Sequence, residues 1–157
     1  MGGMRIAGFG AAAVLLGALS ACTPVVHGVT GVSVDADGRA SAEIVWCGTN
    51  RPDVVLLFAD GDDKDELPWP GHEIAVPDDG QVPTTVPLSD LPPADVSLRM
   101  YGVDEDSEFT TESVSFTTAE LATLPAGTVL VTEWRDERYV QRTVPREEFA
   151  RLADGQC

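Results

Sequence analysis

The chain has few positive charges. It carries 10 lysines and arginines against 26 aspartates and glutamates, and Lys64 is the only lysine. The resulting net charge of −16 at pH 7 disfavours binding to nucleic acid and to anionic lipid surfaces, because both repel a negatively charged domain. We therefore predict no nucleic-acid partner. The charge is typical of a well-solvated surface, and it leaves cations or basic surfaces as alternative partners.

Groups suited to catalysis are also scarce. The chain has two histidines, His27 and His72, and neither lies in a recognisable arrangement with a nucleophile. There is no Gly-x-Ser-x-Gly, no His-Glu-x-x-His and no glycine-rich phosphate loop in the sequence, and these are patterns that position nucleophiles, metals and phosphates in enzymes. We predict a protein that is not an enzyme and that needs no cofactor.

The apolar run at the N-terminus is too short to span a membrane. Residues 6–21 are uncharged and follow Arg5, whereas a stable span needs about 20 apolar residues. A short apolar run that follows a basic residue and ends in small residues is typical of a secretory signal peptide. We predict that residues 1–21 are this signal. They contain one arginine, so the mature chain would carry a net charge of −17.

The end of this run resembles a bacterial lipobox, because Leu19, Ser20, Ala21 and Cys22 match it in position and type. The resemblance implies cleavage between Ala21 and Cys22 and a diacylglyceryl group on Cys22 Sγ. Two acyl chains anchor a protein stably where one does so only marginally. We therefore expect a lipid anchor in the cell membrane, on its extracytoplasmic face. The alternative is an ordinary signal peptide followed by a chance cysteine.

Lipidation of Cys22 would leave two further cysteines. In an exported domain, Cys47 and Cys157 most simply pair as a disulfide. A shared metal ion or two free thiols are the alternatives, although the chain has no second Cys-His cluster to complete a zinc site. The whole chain also resembles small bacterial lipoproteins, and that resemblance implies a location but no activity.

Short alternating segments separated by Gly, Pro and Asp turns predict an antiparallel β-fold. Asp37-Gly38 is a two-residue hairpin signal. In the following strand, Ala42, Ile44 and Trp46 fall on one face and Glu43, Val45 and Cys47 on the other. Further along, prolines at positions 83 and 87 place their segment at a sheet edge.

The C-terminal part has a different pattern. Two alternating segments flank Asp136-Glu137 and predict a second hairpin. After it, Phe149, Leu152 and Ala153 fall on one face of a short helix. We expect residues 119–157 to form this hairpin and helix and to pack on the same domain as the preceding strands.

Several segments resemble a fibronectin type III domain. Residues 41–46 and 54–58 resemble its strands B and C. Residues 91–96, the alternating strand after them and residues 113–118 are similar to its E–F corner, F strand and G strand, although the corner tyrosine is absent. Over residues 29–118 the resemblance implies an antiparallel immunoglobulin/fibronectin III-like sandwich, with residues 22–28 as a lipidated tether. The fold class that we predict is mainly β, with a C-terminal β-hairpin and short helix.

The acidic loop of residues 60–66 is a candidate calcium site, because calcium takes six to eight oxygen ligands. Lys64 occupies the third ligand position of an EF-hand register, so a solvated loop explains the segment better. The weak candidate ligands are Asp60, Asp62, Asp63, Asp65 and Glu66.

Trp69 stands between two prolines and near His72. An exposed aromatic residue in such a loop can anchor a binding partner. The alternative is that Trp69 folds back over the edge of the sandwich.

The sequence therefore predicts a lipid-anchored cell-envelope protein with a non-catalytic binding or structural role. Its expected partners are the membrane, through the lipid on Cys22, and other envelope proteins or basic surfaces. The binding role is inferred from the sandwich fold by analogy. The alternative function is the binding of calcium or a small ligand by the acidic loop.

Overall fold

A computed structural model describes residues 24–60 and 69–155. In this part of the chain, half of the residues lie in ten strands and a tenth in three single-turn helices. The predicted mainly β fold with a C-terminal hairpin and short helix is confirmed. The elements are β1 (Val25–Val34), β2 (Ala40–Trp46), β3 (Val54–Ala59), β4 (His72–Ala75), β5 (Thr84–Pro87), β6 (Ser97–Val103), β7 (Phe109–Glu112), β8 (Val114–Thr117), α1 (Thr118–Leu121), β9 (Thr128–Arg135), β10 (Arg138–Pro145), α2 (Arg146–Phe149) and a 3₁₀ turn (Leu152–Gly155).

The described strands form two antiparallel runs that are joined at one side. One run has the order β5-β2-β1, and the other has the order β4-β3-β6-β8. β1 also pairs with β7 in parallel, starting at Val25 and Phe109, and β7 pairs with β6. These pairings make one nearly closed sheet, in which β4, β5, β8 and β10 each pair with a single described strand. As predicted from its two prolines, the segment around β5 lies at an edge.

The hairpin of β1 and β2 is confirmed, but its loop is longer than predicted. Val34 pairs with Ala40, so five residues connect the strands. The Asp35 carboxylate accepts hydrogen bonds from the backbone N–H groups of Asp37 and Arg39 at 2.9 Å, and this side-chain cap stabilises a wider turn than the two-residue type. β1 itself begins at Val25, so four of the residues assigned to the tether lie in a strand.

Two hydrophobic clusters lie on opposite faces of β2. The predicted alternation is confirmed, because Ala42, Ile44 and Trp46 belong to a main cluster between the two runs of strands. Val45 and Cys47 belong to a second cluster on the other face. Burial on both faces explains why β2 is almost wholly inaccessible to solvent.

The C-terminal hairpin and helix complete the second cluster. β9 continues along the second half of β1, and β10 pairs with β9. Asp136 and Glu137 form the predicted turn, and both have positive φ angles of 49° and 62°, as a type I′ turn requires. Phe149 and Ala153 are buried against β1 and β2, with 0% and 2% exposure. The predicted apolar face is therefore confirmed.

Candidate functional site

A cleft of about 460 Å³ lies beside the outer face of β3, β6 and β7, next to the β9–β10 hairpin. We call it the aromatic cleft. Its volume is within the range of roughly 300–1,000 Å³ that is typical of small-molecule sites. Four aromatic side chains line it, namely Phe58, Tyr101, Trp134 and Tyr139.

Strand alternation places the floor of the aromatic cleft. In β3 and β6, Leu57 and Met100 point into the main cluster, so Phe58 and Tyr101 point outward. Their rings meet edge to face, with centroids 5.8 Å apart. Such pairs are stabilised by the ring quadrupoles, so the floor of the cleft is preformed.

The wall of the aromatic cleft comes from the C-terminal hairpin. Trp134 and Tyr139 are cross-strand partners, and their ring centroids are 4.7 Å apart. They remain 59% and 70% exposed, which is unusual for such large apolar side chains. Gln141 Nε2 donates to the carbonyl oxygen of Ser115 at 2.6 Å, and this bond holds the hairpin beside β8.

Among the described residues, two charged side chains line the aromatic cleft, and they differ in their partners. Arg99 donates to the Asp60 carboxylate at 3.0 Å. Glu112 has no hydrogen-bond or ion-pair partner within residues 24–60 and 69–155. Burial, and then the nearby charge of Glu133, raise the pKa of Glu112. Its carboxylate is thus partly desolvated and electrostatically uncompensated.

Glu133, which lies near Glu112, is compensated. Burial acts to raise the pKa of Glu133, but hydrogen bonds and charge from Arg142 and Arg135 outweigh burial and lower it. The Nη2 atoms of Arg142 and Arg135 lie 2.5 and 2.7 Å from the carboxylate oxygens of Glu133, respectively. Glu112 is therefore the carboxylate of this pair that remains available to a ligand.

Replacing Glu112 with glutamine is expected to increase stability slightly at neutral pH. Because the pKa of Glu112 is raised on folding, the folded state binds the proton more tightly than the unfolded state, and the wild type loses stability as the pH rises through this pKa. The gain should stay within about 0.5 kcal/mol, the usual range for surface substitutions. Urea unfolding at pH 7 measures it. A clear loss of stability would show that the carboxylate has a structural role.

The predicted binding residues Trp69 and His72 lie together. The centroids of their rings lie 4.7 Å apart, and the ring planes are inclined at 75° to each other. Trp69 is partly buried against the main cluster, as the alternative interpretation expects, while His72 is exposed in β4. A binding role for this pair stays a prediction.

The other predicted site residues are only partly described. Asp60 follows β3, and its carboxylate is engaged by Arg99, which competes with a cation for the same oxygens. Asp62, Asp63, Asp65 and Glu66 lie outside the described residues. Where the chain is described, there is no group of three or more His, Cys, Asp or Glu side chains that could hold a metal ion. Calcium binding by the acidic loop stays a prediction.

Ala21, Cys22 and Cys157 also lie outside the described residues. Cys47 is buried, and its Sγ atom lies 3.6 Å from the carbonyl oxygen of Ala153, four residues before Cys157 in the sequence. This contact brings the C-terminal segment to Cys47. Among the described residues, no helix is long and apolar enough to cross a membrane.

Sequence reasoning missed the aromatic cleft, although part of its signal was present. Phe58 and Tyr101 occupy outward positions of alternating strands, and Trp134 and Tyr139 flank the Asp136-Glu137 turn at equivalent positions. Their meeting depends on which strands are neighbours. No protein-family model, no curated protein and no solved structure matches this chain.

Proposed function

We propose that the protein is a lipid-anchored, non-catalytic binding domain of the cell envelope, and that its ligand occupies the aromatic cleft. The observation that carries the proposal is the cleft itself, which is lined by exposed Trp134 and Tyr139 and by the Glu112 carboxylate, for which the described part of the chain holds no counter-ion. Sites of this kind combine aromatic area with a few polar groups that orient the ligand. The envelope location rests on the lipobox resemblance.

The start of β1 relates the proposed anchor to the cleft. The strand begins at Val25, three residues after Cys22, and three extended residues span about 10 Å. Val26 lines the cleft. A lipid on Cys22 would therefore hold the cleft close to the bilayer surface.

The anchor is tested by replacing Cys22 with alanine in the full chain. The wild type is expected to stay with the membranes after carbonate washing, because two acyl chains hold it there. The variant should lose nearly all of its membrane association. Ser20→Ala is a matched control, since it keeps a small residue in the lipobox. A Cys22→Ala protein that stays with the washed membranes would show that the anchor proposal is wrong.

We further propose that Cys47 and Cys157 form a disulfide. The contact between Cys47 and Ala153 supports it, because Cys157 follows Ala153 by only four residues in the sequence. Peptide mass spectrometry without reduction, on protein taken from the envelope, tests the pairing directly. Two free thiols would contradict it.

A fibronectin III-like sandwich is our proposal for the finer architecture. The order β5-β2-β1 corresponds to strands E-B-A of that family, and the order β4-β3-β6-β8 corresponds to C′-C-F-G. In this interpretation, the parallel pairing of β1 with β7 is an added link between the two sheets.

A further inference from the structure

We propose that the aromatic cleft binds the substituted ammonium group of a small organic molecule, with Glu112 and the Trp134 ring as its main contacts. The proposal rests on the proposed function, because it requires the cleft to be the ligand site. It adds the chemical class of the ligand.

The charges around the cleft favour a cation. The Asp60 carboxylate lies 3.0 Å from the Arg99 guanidinium group and compensates its charge. By contrast, Glu112 has no counter-ion among the residues that the structure describes. Within the described residues, the cleft therefore presents one negative charge without a counter-ion. The net charge of the whole chain, −16, adds a field of the same sign that attracts cations and repels anions.

The aromatic side chains favour an ammonium group over a hydrated metal ion. A cation over the face of an aromatic ring is attracted by the ring quadrupole, and tryptophan gives the strongest attraction. Trp134 is 59% exposed. In its edge-to-face contact with Tyr139, the ring that presents its edge is not covered by the other ring on either face. The apolar substituents of an ammonium ion can pack on these rings.

Glu112 and Trp134 line the same two cavities. Both line the aromatic cleft, and both also line a smaller neighbouring cavity of about 240 Å³. One ligand cation can therefore meet the carboxylate and the indole ring together. Carboxylate and ring then act on the same charge, while the apolar part of the ligand lies towards Phe58 and Tyr101.

The volume of the cleft and the pairing of β7 favour a small molecule over a peptide strand added beside Glu112. Peptides often bind by adding a strand to an open sheet edge. β7, which contributes Glu112, pairs with β1 on one side and with β6 on the other, so this strand offers no open edge, whereas β10, which contributes Tyr139, pairs with β9 alone among the described strands. The volume of about 460 Å³ instead fits a small ligand.

Choline and 3,3-dimethylbutan-1-ol test the proposal, because they have the same shape and differ in a charged nitrogen and a neutral carbon. Calorimetry uses the mature full chain in dodecyl maltoside micelles, with empty micelles as the blank. We expect choline to bind about tenfold more tightly than the alcohol. Glu112→Gln and Trp134→Leu should each remove most of this preference. Glu137→Gln, at the exposed hairpin turn, is the matched control and should retain it.

The outcomes separate this proposal from the proposed function. Equal binding of both probes, sensitive to Trp134→Leu, overturns the cation preference but leaves the cleft as a ligand site. If the probes bind and Trp134→Leu leaves their affinity unchanged, the cleft is not the site. The proposed function then fails as well. Binding of neither probe overturns the ammonium assignment. Tighter binding of a blocked lysine tripeptide than of choline would assign the ammonium group to a peptide, and tighter binding of short-chain phosphatidylcholine would assign it to a lipid headgroup. Either result overturns the assignment to a free small molecule.

Discussion

Replacing Phe149 with alanine is expected to lower the free energy of unfolding by about 3–5 kcal/mol, the usual cost of removing a fully buried phenylalanine. Phe149 is 0% exposed and is the largest side chain of the second cluster. Its removal would leave a cavity between the C-terminal segment and the β1–β2 face, which rigid strands cannot close. Urea unfolding followed by far-UV circular dichroism measures the loss.

Tyr139→Ala is the control for Phe149, because it removes an aromatic ring from the same C-terminal region at a site that is 70% exposed. Its cost should stay below about 1.5 kcal/mol, since mainly an edge-to-face contact is lost. Equal losses for the two variants would mean that the C-terminal segment does not pack on the domain as described.

Replacing Arg146 with methionine is expected to cost about 2–4 kcal/mol. Glu43 is buried with 0% exposure, and Arg146 Nη2 lies 2.7 Å from each of its carboxylate oxygens. Ser33 and Thr85 also donate to Glu43, at 2.6 and 3.0 Å, but they carry no charge. Removing one partner of a fully buried ion pair typically costs 3–5 kcal/mol, and the half-exposed position of Arg146 reduces that value.

A double-mutant cycle separates loss of the ion pair from loss of packing. Adding Glu43→Gln to Arg146→Met removes the stranded charge, so the double variant should be more stable than the sum of the two single losses predicts, by at least about 1 kcal/mol. Arg138→Met, at an exposed position of the hairpin, should be nearly neutral. Strictly additive losses would contradict a charge-based role for the Glu43–Arg146 pair.

Phe149 and the Glu43–Arg146 pair show how much of the structure local sequence patterns predict. The faces of β2, the hairpin at Asp136-Glu137 and the apolar side of the segment formed by α2 and the 3₁₀ turn all follow from periodicity and turn chemistry, which depend only on near neighbours in the sequence. The same alternation placed Glu43 on a face with Val45 and Cys47. It did not reveal a buried charge, because the cation that compensates it lies 103 positions away.

The aromatic cleft could not be predicted from local sequence patterns. Its lining combines β1, β3, β6, β7 and the C-terminal hairpin, and their neighbourhood is created by the pairing of β1 with both β7 and β9. One strand that pairs in parallel over its first half and antiparallel over its second half has no signature in a single sequence. Trp69 attracted attention because its flanking prolines are adjacent in the chain, whereas Trp134 and Tyr139 required the register of a hairpin.

The central claim is that the ligand occupies the aromatic cleft, and the three tryptophans of the chain allow it to be tested. Trp46 lies in the main cluster, Trp69 lies beside His72, and Trp134 lies in the aromatic cleft. Nuclear magnetic resonance of the indole N–H groups, recorded on the full chain during a choline titration, follows the three places at once. We predict that the Trp134 signal moves with saturation while the signals of Trp46 and Trp69 stay in place. Movement of the Trp69 signal with a fixed Trp134 signal would contradict the account and place the ligand at the edge of the main cluster instead.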